Sequence, residues 1–366
     1  MSEKVFRVGI VGCGGIANGK HLPALAKLAA EGKVEIVYFC DIIRERAEKS
    51  KEKFGAENAR VCEDYREMVA CKEVDVIHVC TPNRSHSEIS CAALRAGKDV
   101  LCEKPMAINA AEAQAMVDAA KESGRTLSIG YQNRYRADSQ YVKSEADDGF
   151  FGDIYFARAY AVRRRAVPTW GVFLDEEKQG GGPLIDIGTH ALDLTLWMMN
   201  NYKPKAVMGQ TFKKLSNQTE TGNAWGDWDP KEFTVEDSAF GFVTMENGAT
   251  IILESSWALN TLDVREAQTT LCGTKGGADM QNGLRFNSVD LGRQTVTTPD
   301  LTGEGVAFFD SSANGSPEDV EASQWLTAVL EDKNPLVLPE QALVVTEILE
   351  AIYTSAKTGE PFYFNK

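Results

Sequence analysis

Short apolar runs separated by helix-like segments fill the first third of the chain. The runs lie at residues 5–11, 34–40, 74–80, 100–102 and 127–131, and the helical patterns between them include 44–54, 85–96 and 110–123. Strands that are apolar throughout and alternate with helices are typical of a parallel sheet covered on both faces. The pattern therefore predicts an α/β fold that begins with a Rossmann-type, doubly wound parallel sheet over residues 1–131.

From residue 132 onward, longer runs alternate between apolar and polar positions, as in antiparallel sheets. These runs lie at residues 154–162, 206–212, 238–245, 249–257 and 266–271, and helical patterns lie at 184–199, 318–330 and 340–357. Pro317 and Pro339 suit helix starts, and residues 311–316 predict a Gly/Ser-rich loop. We expect a C-terminal α+β domain over residues 132–366 with a large, mainly antiparallel open sheet. Its closing helices can pack back on the first domain.

Charge and composition narrow the classes of function. The 366 residues suit two domains, and a net charge of -14 disfavours nucleic acid and anionic membranes as partners. The chain starts without the apolar core of a signal peptide, so we expect a cytoplasmic protein. Eight scattered cysteines and four histidines lack the spacing of metal ligands, which predicts free thiols and no metal.

The segment Gly12-Cys13-Gly14-Gly15-Ile16-Ala17 has the form G-x-G-x-x-A between the first strand and a helical pattern. Glycines there let the backbone approach a pyrophosphate at the helix N-terminus. Asp41 ends the second strand, where a carboxylate binds the adenosine ribose and repels a 2′-phosphate, so NAD is favoured over NADP. A glycine turn followed by an acidic helix cap is the alternative. Arg44 and Arg46 could reach a phosphate but equally suit solvated helix charges.

Candidate catalytic residues occur in two places. Lys104, within Glu103-Lys104-Pro105, follows the fifth strand at the edge where open α/β sheets hold ligands. Asp186 and His190 stand four residues apart, on one face of a helix that begins near Pro183. A solvated lysine, a helix-start carboxylate and a core histidine are the corresponding structural alternatives.

These motifs resemble the Gfo/Idh/MocA oxidoreductases of sugars and cyclitols over essentially the whole chain. The resemblance rests on G-x-G-x-x-A, Asp41, Thr81-Pro82-Asn83 with His86, Glu103-Lys104-Pro105, Gly130-Tyr131-Gln132-Asn133-Arg134 and Asp186-x-x-x-His190. It implies that Lys104, Asp186 and His190 are catalytic. With the fingerprint, it implies a cofactor site of Gly12, Gly14, Gly15, Ile16, Ala17, Asp41, Arg46, Thr81, Pro82, Asn83, His86, Glu103, Lys104, Gln132 and Trp170. The implied substrate site comprises Lys104, Asn133, Arg134, Arg163, Trp170, Asp186 and His190.

The sequence departs from the family in one motif. Many members read Trp-Arg before the glycine run, whereas this chain reads Trp170-Gly171. Arg163-Arg164-Arg165 could replace that arginine, although a charge run more often ends a strand in solvent. The segment at residues 223–229 combines aromatics with carboxylates, which suits either a sugar or a loop packed on the protein.

The chemistry of the implied residues agrees with alcohol oxidation. An imidazole suits the role of base for a hydroxyl proton, and a lysine can stabilise the developing alkoxide. We expect an NAD-dependent dehydrogenase acting on a ring secondary alcohol, with C3 of a glucopyranoside as the best single prediction. An NAD-dependent glycoside-cleaving enzyme and a non-catalytic NAD or sugar sensor are the alternatives. The resemblance also predicts a cis Lys104-Pro105 bond and a homo-oligomer formed through the C-terminal sheet.

Overall fold

A computed structural model of the chain describes residues 4–301 and 315–364. The chain divides into two compact units. The first comprises Met1–Gln132 with Ser312–Leu343, and the second comprises Asn133–Ser311 with Val344–Lys366. Most of the predicted Gly/Ser-rich loop at residues 311–316 lies outside the described residues.

A parallel sheet forms the centre of the first unit. Its strands are β1 (Phe6–Val11), β2 (Val34–Cys40), β3 (Arg60–Cys62), β4 (Val76–Val79), β5 (Asp99–Cys102) and β6 (Leu127–Ile129). Their order in the sheet, among the described residues, is β3-β2-β1-β4-β5-β6, and every pair is parallel. This is the doubly wound Rossmann order, so the predicted fold class is confirmed for this part. The sequence analysis missed β3.

Both units contain helices, and several of the longer ones bury an apolar face. In chain order they are α1 (Leu22–Ala30), α2 (Arg44–Phe54), α3 (Tyr65–Ala70), α4 (His86–Arg95), α5 (Ala110–Ser123), α6 (Ala137–Asp147), α7 (Glu176–Gln179), α8 (Thr189–Met199), α9 (Pro317–Leu330) and α10 (Pro339–Thr358). Local signals set several ends. The Asn109 side chain accepts a hydrogen bond from the Glu112 backbone N–H at 2.8 Å and caps α5, which ends at Gly124 with φ +61°.

The core of the first unit joins its sheet to residues that lie far along the chain. Trp325 and Leu326 of α9 are buried in one cluster with Ile10 and Phe39 of the sheet and Leu25 of α1. This burial removes apolar surface from water and fixes α9 to the first unit.

A mixed, mainly antiparallel sheet forms the second unit. Its strands are β7 (Ile154–Val162), β8 (Pro204–Phe212), β9 (Ser238–Met245), β10 (Thr250–Ser256), β11 (Arg265–Gly273), β12 (Gly276–Asp279), β13 (Arg285–Asp290), β14 (Arg293–Thr297) and β15 (Phe362–Tyr363). The order among the described residues is β14-β13-β12-β11-β7-β10-β9-β8-β15, with β7 and β10 parallel. The predicted antiparallel sheet is confirmed, although the sequence analysis missed β12 to β15.

Across residues 4–301 and 315–364, no helix is both long and apolar enough to cross a membrane. All eight cysteines lie in this described part and are free thiols.

Candidate active site

The glycine segment after β1 makes a tight turn at the carboxyl edge of the sheet. Gly12 has φ +90°, and a Cβ built on it would lie 2.5 Å from the carbonyl oxygen of Cys80, so no larger residue fits there. Gly14 and Gly15, by contrast, face open space within 4 Å of such a Cβ. The loop then enters a π-helical turn at Ala17–His21 that leads into α1. The space beside Gly14 and Gly15 therefore fits the close approach of a dinucleotide pyrophosphate.

Asp41 performs a second task that the sequence did not reveal. Its buried carboxylate accepts hydrogen bonds from the backbone N–H groups of Cys13 and Ile43, each at 2.8 Å. A carboxylate has about four acceptor positions, so two backbone bonds leave capacity for ribose hydroxyls. Asp41 thus braces the glycine loop directly after β2, where the sequence predicts contact with the ribose. Arg46 is exposed on α2, and Arg44 pairs with Glu48 at 2.8 Å.

Replacing Asp41 by alanine is expected to change cofactor preference. The loss of charge-assisted hydrogen bonds should raise the KM for NAD by about 10–100-fold, while NADP no longer meets a repelling carboxylate. The ratio of kcat/KM for NAD to that for NADP, measured in both variants, should fall at least tenfold. Asp41→Asn keeps the side-chain shape and removes the charge, but its single amide oxygen can replace only one of the two carboxylate oxygens that brace the loop. An unchanged ratio in Asp41→Ala, or equal use of both cofactors by the unaltered protein, would contradict this prediction.

The residues after β4 are tied to the lysine segment by a buried histidine. The ring nitrogens of His86 lie 2.9 Å from the Thr81 carbonyl oxygen and 2.8 Å from that of Pro105. Burial lowers the pKa of His86 in spite of these two acceptors. Pro82 is exposed and Asn83 is half-buried at the same edge. His86 therefore holds two loops together, and Thr81, Pro82 and Asn83 follow β4 at the carboxyl edge of the sheet.

Glu103, Lys104 and Pro105 leave β5 at the same edge of the sheet. The Lys104-Pro105 bond is cis, which confirms that prediction. Glu103 is buried; one of its carboxylate oxygens lies 2.8 Å from Nε2 of His21, and the other accepts from the Lys104 backbone N–H at 3.1 Å. Lys104 itself is half-buried.

Behind Glu103 lies a polar network that sequence reasoning missed. Nδ1 of His21 is 3.0 Å from Nδ1 of His78, whose ring contacts Trp325 edge-on at 5.2 Å. Burial lowers the pKa of His78 well below its usual range and raises that of the neighbouring carboxyl, Glu321. One of the two facing Nδ1 atoms donates to the other, and Nε2 of His21 donates to the Glu103 carboxylate. This network fixes Glu103 and, through it, the backbone of Lys104.

In the second unit the glycine run packs too closely for side chains. A Cβ on Gly181 would lie 2.1 Å from the Tyr353 hydroxyl, and one on Gly182 would lie 2.3 Å from the Glu236 carbonyl oxygen. The run leads into a π-helical turn at Leu184–Gly188 and then into α8, not into the single α-helix expected over residues 184–199. π-Turns of this kind often occur at functional sites.

Asp186 and His190 stand on this turn and on the first turn of α8. The Asp186 carboxylate is buried and accepts a hydrogen bond from the indole N–H of Trp257 at 2.9 Å. His190 is half-buried. Lys104 belongs to the first unit, whereas Asp186 and His190 belong to the second.

Glu236 holds the glycine run in place through hydrogen bonds to its backbone. Its carboxylate accepts from the backbone N–H groups of Gly182 at 2.8 Å and Leu184 at 3.1 Å, and from the Tyr353 hydroxyl at 2.8 Å. Burial raises the pKa of Glu236 to about 7 in spite of these three donors. The sequence offered no signal for this role, because Glu236 and Gly182 are distant along the chain.

This raised pKa predicts a pH-dependent stability. Between about pH 4.5 and 7, the folded chain keeps a proton on Glu236 that the unfolded chain has lost, so stability falls as pH rises. The total contribution is about 3 kcal/mol of the free energy of unfolding. Denaturant unfolding from pH 4.5 to 8 should therefore show a flatter profile in Glu236→Gln than in the unaltered protein. Parallel profiles would contradict the prediction.

Arg134 is placed differently from its predicted role at the substrate. Its fully buried guanidinium donates to both carboxylate oxygens of Asp193, at 3.0 and 2.6 Å, and contacts the Tyr202 hydroxyl at 3.3 Å. A buried pair of this geometry is part of the core, because breaking it would leave an uncompensated charge. We therefore withdraw Arg134 from the predicted substrate site. Asn133 and Gln132 are half-buried on the turn before it.

The remaining predicted residues lie together in the second unit. Trp170 is half-exposed, and Nε of Arg163 donates to a Glu266 carboxylate oxygen at 2.7 Å. The two tryptophans of segment 223–229 differ in exposure. Trp228 is buried, and its indole N–H donates to the Ser216 carbonyl oxygen at 2.9 Å, whereas Trp225 is exposed. Of the two tryptophans, only Trp228 is buried against the protein.

Comparison with known proteins places the chain among sugar-related oxidoreductases. The D-glucoside 3-dehydrogenase of Escherichia coli (strain K12) is 33% identical over 360 residues, covering 98% of this chain and 97% of that protein. An inositol 2-dehydrogenase of Salmonella paratyphi B (strain ATCC BAA-1250 / SPB7) is 31% identical over 200 residues, 54% of this chain and 56% of that protein. A solved levoglucosan dehydrogenase in complex with NADH and levoglucosan shares the fold, with a TM-score of 0.83 at 21% identity over 99% of this chain and 100% of that one.

Two family models match the chain in succession. Residues 6–131 match the oxidoreductase family with an NAD-binding Rossmann fold, and residues 139–279 match the GFO/IDH/MocA C-terminal domain. The matches confirm the resemblance drawn from the motifs and NAD as the cofactor of the family. The chain therefore belongs to the Gfo/Idh/MocA family of oxidoreductases.

Proposed function

We propose that the protein is an NAD-dependent dehydrogenase that oxidises a ring secondary hydroxyl of a glucopyranoside, at C3. The observation that carries the proposal is 33% identity with the Escherichia coli D-glucoside 3-dehydrogenase along nearly the full length of both chains. The lysine, aspartate and histidine on which the resemblance rests are all present as Lys104, Asp186 and His190.

The glycine loop, Asp41 and the residues after β4 are the groups that would hold the cofactor. When bound, NAD supplies the acceptor for the hydride that leaves the alcohol carbon. His190 takes the hydroxyl proton, and Lys104 donates a hydrogen bond to the same oxygen as negative charge develops. Asp186, fixed by the Trp257 indole, binds a neighbouring hydroxyl.

C3 is favoured because it has a hydroxyl-bearing carbon on each side. Two neighbouring hydroxyls let Asp186 and a second group, for which Asn133 remains a candidate, hold the ring on both sides of the reacting carbon. Such a hold fixes the orientation that hydride transfer requires.

We also propose that the protein is a homo-oligomer through the sheet of the second unit. Met208 and Phe242 are paired across β8 and β9, and both are exposed. Exposed apolar patches of this kind are typical of association surfaces. Sedimentation equilibrium of the purified protein tests this proposal.

The decisive test of the function is product identification. The protein is incubated with NAD and, in separate reactions, methyl β-glucoside, a free sugar or a cyclitol; NADH is followed by absorbance, and the oxidised carbon is assigned by NMR. A 3-keto glucoside supports the proposal, and oxidation only at the anomeric carbon of free sugars overturns it. Release of methanol as the main product indicates glycoside cleavage. Turnover of cyclitols but not of glucosides moves the substrate to that class, and binding without turnover indicates a sensor.

A further inference from the structure

Two tryptophans stand side by side on the surface of the second unit. Trp170 and Trp225 are 53% and 43% exposed, and their ring centroids lie 5.0 Å apart at 75°. Phe173 extends the group, 5.9 Å from Trp170. Trp228 and Trp257 in the same unit are 4% and 0% exposed. Trp170 and Trp225 are therefore unusually exposed for tryptophans of this unit. An exposed aromatic patch of this size is typical of a binding surface.

The patch is held in place by hydrogen bonds between two segments. The Thr169 hydroxyl donates to the Trp225 carbonyl oxygen at 2.7 Å, and the Asn223 side chain bonds both the N–H and the C=O of Val167, at 2.8 and 3.0 Å. The Ala224 N–H donates to the Arg165 carbonyl oxygen at 3.0 Å. A surface ordered before binding loses less entropy when a ligand arrives.

One chain of contacts joins the patch to Asp186, and a second contact joins the patch to Arg163. In the first, Phe173 meets Trp257 with centroids 6.5 Å apart, and the Trp257 indole N–H donates to Asp186. In the second, the Arg163 guanidinium lies 5.2 Å from the Trp225 ring centroid. Burial lowers the pKa of Arg163, but the hydrogen bond and charge of Glu266, together with the charge of Asp186, outweigh this effect and raise the pKa above its usual value. Within one unit, the patch is therefore linked to the predicted catalytic carboxylate through Trp257.

We propose that Trp170 and Trp225 form an aglycone subsite, which binds a six-membered ring carried on the anomeric oxygen of the glucoside. This proposal rests on the proposed function and narrows its substrate class to glucosides with a second ring. Asp186 and His190 hold the sugar that is oxidised, and the indoles stack on the next ring. An aryl aglycone and the apolar face of a second pyranose offer the same flat, apolar surface to an indole.

The experiment compares one substrate without a second ring with two that carry one. Kinetic constants are measured with NAD and methyl β-glucoside, phenyl β-glucoside and cellobiose, for the unaltered protein, Trp225→Ala and Trp225→Phe. We expect the unaltered protein to prefer a two-ring substrate in kcat/KM. Trp225→Ala should lower that value by about three- to tenfold, mainly through KM, with methyl β-glucoside changed less than twofold. Trp225→Phe should retain most of the preference, because it keeps a ring.

The two two-ring substrates distinguish the sources of the second ring. A preference confined to phenyl β-glucoside assigns an aryl aglycone, and one confined to cellobiose assigns a second sugar. Equal kcat/KM of the unaltered protein for methyl β-glucoside and both two-ring substrates overturns the subsite, whatever the variants do. An equal loss of kcat/KM on all three substrates in both variants also overturns it.

A binding measurement separates this proposal from the proposed function. Calorimetry of the NADH-bound protein with phenyl β-glucoside and methyl β-glucoside requires no turnover. If no glucoside is oxidised but phenyl β-glucoside binds more tightly and Trp225→Ala removes the difference, the subsite stands and the proposed function fails. If glucosides are oxidised but neither two-ring ligand binds more tightly than methyl β-glucoside, the proposed function stands and the subsite fails.

Discussion

His190→Ala is expected to lower kcat for glucoside oxidation by about 10²–10⁴-fold, the usual effect of removing a general base. His190 lies in the first turn of α8, directly after the π-turn that carries Asp186. The residues predicted to hold NAD lie mainly in the first unit, so the affinity for NAD should change little. Stopped-flow or steady-state kinetics with methyl β-glucoside, together with an NADH fluorescence titration, measure both quantities.

A pH profile of kcat/KM distinguishes a general base from a residue with a purely structural role. With the imidazole as base, log(kcat/KM) of the unaltered protein falls on the acid side, and this limb should disappear in His190→Ala. Added imidazole should restore part of the rate. His190→Gln, which keeps a hydrogen-bonding group but accepts no proton, should be as slow as His190→Ala. Activity within fivefold of the unaltered protein in His190→Ala would show that the base has been placed wrongly.

Lys104→Ala is expected to lower kcat by about 10²–10³-fold, because the lysine contact strengthens as the alkoxide forms. The backbone of Lys104 is held by Glu103, which is fixed in turn by His21 and His78. Because the contact strengthens only as the alkoxide forms, the loss should appear in kcat and kcat/KM alike. Thermal stability should be nearly unchanged, because the backbone at residue 104 keeps its hydrogen bond to Glu103. Pre-steady-state NADH formation measures the chemical step directly.

The chain offers a matched lysine as the control. Lys121 lies on α5 of the same unit, is exposed and pairs with Glu340 at 3.1 Å. Lys121→Ala removes the same charge from the same unit and should leave kcat unchanged. Lys104→Arg keeps the charge with a different shape and should recover only part of the rate. Equal effects of Lys104→Ala and Lys121→Ala would refute a role for Lys104 in the chemistry.

Much of the fold follows from local sequence pattern. The bounds expected for α2, α5, β2, β7 and β9 agree with the structure, because local signals in the sequence, such as apolar runs and alternation, decide such elements. Elements with weaker patterns were missed. β3 has three residues, and β13 and β14 are mostly exposed and polar, so their pairing depends on the neighbouring strand.

The amino-acid sequence by itself determined the family, the glycine loop, the place of Asp41 directly after β2, and the three residues proposed for catalysis. These signals lie within short segments, where backbone conformation and residue chemistry act together. Only the tertiary structure decided which polar groups support them. Arg134 with Asp193, Glu236 with Gly182, and His21 with Glu103 are each separated by tens of residues. A buried charge or polar group needs a hydrogen-bonding partner, and the folded backbone decides which residue lies close enough to provide it. A local sequence pattern carries no information about that distant residue.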